Sequence, residues 1–201
     1  MLHTTLKFDA KIWAEWAYSA GVDERGISFV LTYPELVNSE RTTPRSLTQF
    51  FEQIASIEDL KGNLQLVEAL ALSSLDEVTV SSFIAFVNDE LTQLIDPEEI
   101  LDAEDFKSIS KKIKDISVDD SGAKRVDRLS TMCSRLYLKL TSEDYNPEKN
   151  HSENLVQFLL LDTIPNDLLM SLYMDLQKHG GDEIKEMTRD KKLASKLLST
   201  L

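Results

Sequence analysis

Thr43-Pro44-Arg45-Ser46-Leu47-Thr48-Gln49-Phe50-Phe51-Glu52-Gln53-Ile54 reads as a complete helix start followed by a single buried stripe. Thr43 offers an N-cap hydroxyl, and Pro44 suits the first helical position, where a missing N–H leaves no bond unmade. Leu47, Phe50, Phe51 and Ile54 then recur at i, i+3, i+4 and i+7, the spacing of a helix with one apolar face. Arg45 falls in the first turn, although the helix dipole favours cations at the opposite end. Two readings follow. Arg45 is an anion sensor whose guanidinium and neighbouring first-turn amides face one phosphate, or it is a solvated arginine on an ordinary helix start. The residues by themselves favour the plainer one.

The same helical period extends outward in both directions. Asp9 caps a predicted helix to about Ala20, with Ile12, Trp13, Trp16 and Ala17 on one face and Gly21 as its stop. Asp23 opens a second, carrying Ile27, Phe29, Val30 and Leu31 until Pro34 ends it, and the polar run after Val37 reads as a loop. Beyond the Thr43 helix, another is predicted from about Leu60 to Ser73, interrupted by Gly62, with Leu64, Val67, Leu70 and Ala71 inward. Val78 to Val87 has the β-branched content of a strand, but the longer period through Leu91 and Leu94 favours a helix.

Asp96-Pro97-Glu98-Glu99 is a break followed by a new capped start, which divides the chain into 1–95 and 96–201. The second part reads as further helices. One spans Asp102 to Ile116 with a solvated band of Lys107, Lys111, Lys112 and Lys114. A long one spans Ala123 to Leu140 with Val126, Leu129, Met132, Cys133, Leu136, Tyr137 and Leu140 inward. After the apolar run Asn154 to Ile164 comes one from Pro165, with Leu168, Leu169, Leu172, Tyr173 and Leu176. A last one starts at Asp182, with Ile184, Met187, Leu193, Leu197 and Leu198. No hairpin signal and no repeat period interrupts this pattern, so the predicted fold class is all-α: a helical domain followed by a second helical bundle.

The charge balance limits function. Thirty-five acidic against 22 basic residues give a net charge of -13, which argues against a nonspecific grip on nucleic-acid phosphate because that attraction needs excess Lys and Arg, and leaves room only for a local basic patch. One cysteine, Cys133, permits no internal disulfide, and no apolar run reaches the roughly 20 residues of a membrane span, so the expectation is a cytoplasmic protein. Gly21, Gly26, Gly62, Gly122, Gly180 and Gly181 occupy no Gly-x-x-x-x-Gly-Lys-Ser/Thr pattern, so no ATP site is built by this chain alone. His3, His151 and His179 are isolated in sequence, and no metal site is predicted. Cys133 lies on an apolar stripe and reads as an inert core thiol. The adjacent pairs Glu98/Glu99 and Asp119/Asp120 point in different directions on a helix and form no acid/base pair. No catalytic residue is predicted.

Phe8 to Arg45 resembles the C-terminal lid of the MoxR-type AAA+ ATPases. The resemblance rests on Asp9-Ala10-Lys11-Ile12-Trp13-Ala14-Glu15-Trp16-Ala17, Gly21-Val22, Ile27-Ser28-Phe29-Val30, Tyr33-Pro34-Glu35-Leu36 and Thr43-Pro44-Arg45-Ser46, in that order. It covers about the first hundred residues, reaching loosely into Asp96-Pro97-Glu98-Glu99-Ile100-Leu101. It implies that Arg45, presented by Thr43 and Pro44, is the sensor-two residue that contacts the γ-phosphate of ATP. It further implies ATP and Mg held by a nucleotide-binding core outside this chain, a hexamer with other AAA+ subunits, and a chaperone-like action on a client protein. On this reading the chain is a piece of a larger ATPase, with 96–201 as an interaction module. The competing expectation is a free-standing helical adaptor without a nucleotide role.

Overall fold

Ten residues, from Ala10 to Ser19, form the first helix (α1) because Asp9 caps it, its carboxylate accepting from the amides of Lys11 and Ile12 at 2.9 and 3.1 Å. The computed structural model describes residues 7–119 and 121–198, so His3 and Asp120 lie outside it. The chain forms two compact units that part between Gln93 and Leu94. Every regular element among the described residues is helical, with one isolated antiparallel bridge between Val118 and Lys124. The fold is all-α. Among the described residues no helix is long and apolar enough to cross a membrane.

In the first unit α1 is followed by α2 (Glu24–Thr32), a tight 3-10 stretch (Pro34–Asn38), α3 (Pro44–Ile54), α4 (Leu64–Ser74) and α5 (Glu77–Ala85). A wider π turn over Phe86–Glu90 and a 3-10 turn over Leu91–Gln93 prolong α5. Gly21 stops α1 in the left-handed region, at φ 71°. The core is aromatic. Phe29, Phe50, Phe51, Phe83 and Phe86 are essentially inaccessible, and Phe83 meets both Phe29 and Phe50 edge-on at 5.0 Å. Each buried phenyl contributes about 1.5–3 kcal/mol from its apolar surface alone. Gly26 lets α2 approach α3 closely, because a β-carbon there would lie 2.4 Å from Cγ of Phe51.

The second unit contains α6 (Pro97–Leu101), α7 (Phe106–Ile116), α8 (Val126–Thr141), α9 (His151–Leu159), α10 (Asn166–His179), α11 (Asp182–Met187) and α12 (Lys191–Leu198). Helix α8 is its axis, buried on most of its circumference and packed against α10 and α6. Glu98 pairs with Lys139 at 2.5 Å and Glu99 with Lys112 at 2.6 Å, so these neighbouring carboxylates do diverge.

Several expectations are corrected. Ile12 and Trp16 are 66% and 52% exposed, because the buried stripe of α1 runs through Trp13, Ala14 and Ala17 instead. Gly62 lies before α4, which starts at Leu64. The helix expected from Asp102 begins only at Phe106, since Asp102 ends α6 and Asp105 caps α7. Val126 is 42% exposed at the open start of α8, and Leu198 is 71% exposed at the end of α12. The single last helix is two. Thr188 turns its hydroxyl back onto the carbonyls of Ile184 and Lys185, and Asp190 recaps the chain through the amides of Lys192 and Leu193 at 2.7 and 3.0 Å.

Candidate functional site

The start of α3 is built from its own hydroxyls. The Ser46 amide donates to Thr43 Oγ1 at 3.2 Å and the Thr43 amide donates to Ser46 Oγ at 2.9 Å, a reciprocal cap. Ser46 Oγ in turn donates to the carbonyl of Arg41 at 2.7 Å. Pro44 has no N–H and the Ser46 amide is taken by Thr43, so of these first-turn amides Arg45's alone remains for a ligand. The expected row of free amides is thereby reduced to one.

A carboxylate from another helix fixes the loop ahead of this cap. Asp76 opens α5 by accepting the Thr79 amide at 2.9 Å, and its other oxygen accepts the hydroxyls of Ser39 and Thr42 and, at 3.2 Å, that of Thr79. Thr42 and Thr79 are fully buried. Burial pushes the Asp76 carboxyl up, but the bonds from Ser39, Thr42 and Thr79 outweigh it and hold the group well below the usual carboxylate range. The far end of α3 is fixed too. Arg25, gripped by Asp23, donates to the carbonyls of Ile54, Ile57 and Glu58 at 3.1, 2.7 and 3.1 Å. The α3 helix is thus pinned at both ends by groups outside it.

Of the three arginines in the first unit, Arg25 holds the end of α3 and Arg41 donates to the carbonyl of Leu72 at 3.1 Å. Arg45 is exposed, and its guanidinium makes no hydrogen bond or ion pair with any described residue. It lines a groove of about 390 Å³ together with Trp13, Trp16, Pro44, Thr48, Gln49 and Glu52. The two indoles lie 6.4 Å apart and tilted by 54°, with Trp13 buried against Phe51 and Trp16 open at the rim. The groove offers an aromatic wall, a free cation, one carboxylate and the hydrogen-bonding ends of Thr48 and Gln49. That set has the chemistry to accept a charged or polar-aromatic group, and its lining residues include no nucleophile with a base beside it.

Sequence reasoning did not find Asp76 or the exposure of Trp16. The capping pattern Asp76-x-x-Thr79 was visible, but its closure onto Thr42, 34 residues away, was not.

In the second unit the ligating atoms of Asp102, Glu148 and His151 lie within 4.8 Å of one another. The backbone settles the tautomer. The Glu148 amide donates to His151 Nδ1 at 3.2 Å, so the ring proton sits on Nε2 and is donated to Asp102 Oδ1 at 2.6 Å. A metal on Nε2 would move that proton to Nδ1, setting two N–H donors face to face. Asn154 completes the joint by donating to the carbonyls of Leu101 and Ala103 at 2.7 and 2.9 Å. The cluster is a latch between α6 and α9. Cys133 is buried, and burial pushes its thiol up to about 12.

No known protein family, curated protein or solved structure matches the chain.

Proposed function

We propose that this chain is the C-terminal lid and extension of a MoxR-like AAA+ ATPase, in which Arg45 reads the γ-phosphate of ATP held by a nucleotide-binding core. The supporting observation is the unpaired, exposed guanidinium of Arg45 on a helix anchored at both ends. The pinned helix lowers the entropic cost of presenting Arg45 at the level of the backbone, while its side chain would be ordered by the phosphate itself. The groove itself lacks a cradle for a nucleotide's phosphates, so hydrolysis and the Mg ion belong to the core. ATP would supply the terminal anion, and ADP would not. Arg45 would therefore bias lid orientation by the contact present in one state and absent in the other. Coupling to a hexamer and to a client protein follows from the same reading.

A charge-assisted contact of this kind is worth about 1.5–3 kcal/mol, or roughly 10–150-fold in rate. In the polypeptide that carries both lid and core, Arg45→Ala is expected to lower ATP turnover by that factor, and Arg45→Lys to retain part of it. Unchanged turnover in Arg45→Ala removes Arg45 from the nucleotide site. Exposed Ile12 and Trp16 favour a second reading, an adaptor that docks another protein at this groove. In that case Trp16→Ala abolishes partner capture, and there is no ATP turnover for Arg45→Ala to lower.

A further inference from the structure

Helix α8 carries three cations on one face. Arg128, Arg135 and Lys139 fall within about 40° of each other on a helix of 3.6 residues per turn. The start of α6 answers two of them. Arg135 Nη2 meets Asp96 Oδ1 at 2.6 Å, and its Nη1 meets the Ile95 carbonyl at 3.4 Å. Lys139 meets Glu98 Oε1 at 2.5 Å. Arg128, two turns nearer the start of α8, has no such answer.

Arg128 is only 6% exposed. Its Nε is enclosed without an acceptor, and its guanidinium makes no hydrogen bond or ion pair with any described residue. The adjacent carboxylate does not reach it, because Asp127 is gripped by Arg125 through Nε at 3.0 Å and Nη2 at 2.6 Å. Among the described residues Nη1 and Nη2 find no partner either but are not enclosed, so the fork is open at that edge while its stem and Nε are buried, an arrangement that costs solvation unless an acceptor meets the open edge. Arginine cannot escape by losing its proton, as a buried lysine does. What the site lacks is an acceptor with two oxygens side by side, the shape that a guanidinium fork matches.

We propose that Arg128 is the receptor for a small oxyanion, a carboxylate or phosphate group that supplies the third negative partner on this face of α8. The net charge of -13 favours a small ligand, since an extended acidic chain would be repelled along its whole length. The site lies in the second unit and stands independently of Arg45.

The test uses the full chain labelled with ¹⁵N. The Arg128 Nε–H resonance, assigned by its disappearance in Arg128→Lys, is followed while inorganic phosphate or acetate replaces chloride at constant ionic strength. A saturating shift with a Kd of about 1 mM is expected for one anion, together with a rise in Tm that saturates over the same range. Arg128→Met should lose that rise and, without anion, unfold at or above the wild-type temperature because an uncompensated charge has gone. Should Arg128→Met fail to fold, Arg128→Gln serves for the same comparison. A response to phosphate alone assigns a tetrahedral oxyanion, and a response to acetate alone assigns a carboxylate. If neither anion moves the Arg128 resonance, or if the variant keeps the same Tm rise, the proposal is overturned and water satisfies the guanidinium.

Discussion

Replacing Asp76 tests whether the loop ahead of Arg45 is held by a single carboxylate. Asp76→Ala removes an N-cap, worth about 1 kcal/mol. It also takes the shared acceptor from the hydroxyls of Thr42 and Thr79, which are 0% and 1% exposed; they keep each other at 3.0 Å and the residue-76 amide on Thr42 Oγ1 at 3.3 Å, so one hydroxyl proton is left without an acceptor. An unsatisfied buried hydroxyl costs about 1–3 kcal/mol, so the expected loss is about 2–4 kcal/mol in all. Asp76→Asn keeps the cap, since asparagine caps as well as aspartate, but offers one acceptor oxygen in place of two. Its expected loss is smaller. The two variants also differ from wild type in pH dependence. The folded carboxyl lies below its unfolded value of about 3.9, so the unfolded chain takes up the proton first as the pH falls. Its contribution is therefore complete above about pH 5 and declines progressively below about pH 4. Urea unfolding of wild type and Asp76→Asn at a series of pH values measures this directly. The gap between the two midpoints should narrow on acidification. A gap that stays constant from neutral pH down to about pH 2.5 would refute the reasoning, because the charged form would then not be the acceptor.

Three further outcomes follow from packing and burial. Gly26→Ala places a β-carbon 2.4 Å from Cγ and 2.6 Å from Cδ1 and Cδ2 of the buried Phe51 ring, so overpacking of about 1–3 kcal/mol should outweigh the roughly 1 kcal/mol that alanine gains in a helix. Gly62→Ala meets the exposed Asp59 carboxylate, which accepts the Gly62 amide at 2.8 Å, so its expected loss is that one bond, about 0.5–1.5 kcal/mol and smaller than at Gly26; chemical denaturation of both shows whether the core or the glycine matters. Cys133, with its thiol pushed up to about 12 by burial, should resist iodoacetamide in the folded protein at neutral pH and react on unfolding; labelling within minutes in the native state would place it at the surface.

Helix identity was legible wherever a local cap and a long apolar period agreed. Asp9 announces α1, Thr43 and Pro44 announce α3, and Leu47, Phe50, Phe51 and Ile54 name the buried side of α3, because these effects act within two turns of chain. The choice of helix over strand near Phe83 also rested on local period alone. The sequence by itself thus determined the all-α class, the start of the helix that carries Arg45, and the want of a phosphate-cradling loop. Tertiary structure alone decided which side of α1 is inside: Ile12 and Trp16 share an apolar stripe with Trp13, but the neighbouring helices cover Trp13 and leave the other two exposed. It also decided which charges are matched. Asp76 reaches Ser39 and Thr42, Asp102 reaches His151, and Asp96 reaches Arg135, each across more than 30 residues, while Arg45 and Arg128 find no acceptor among the described residues. Side-chain partners at such separations are set by how helices pack, and no spacing within the chain encodes them in readable form.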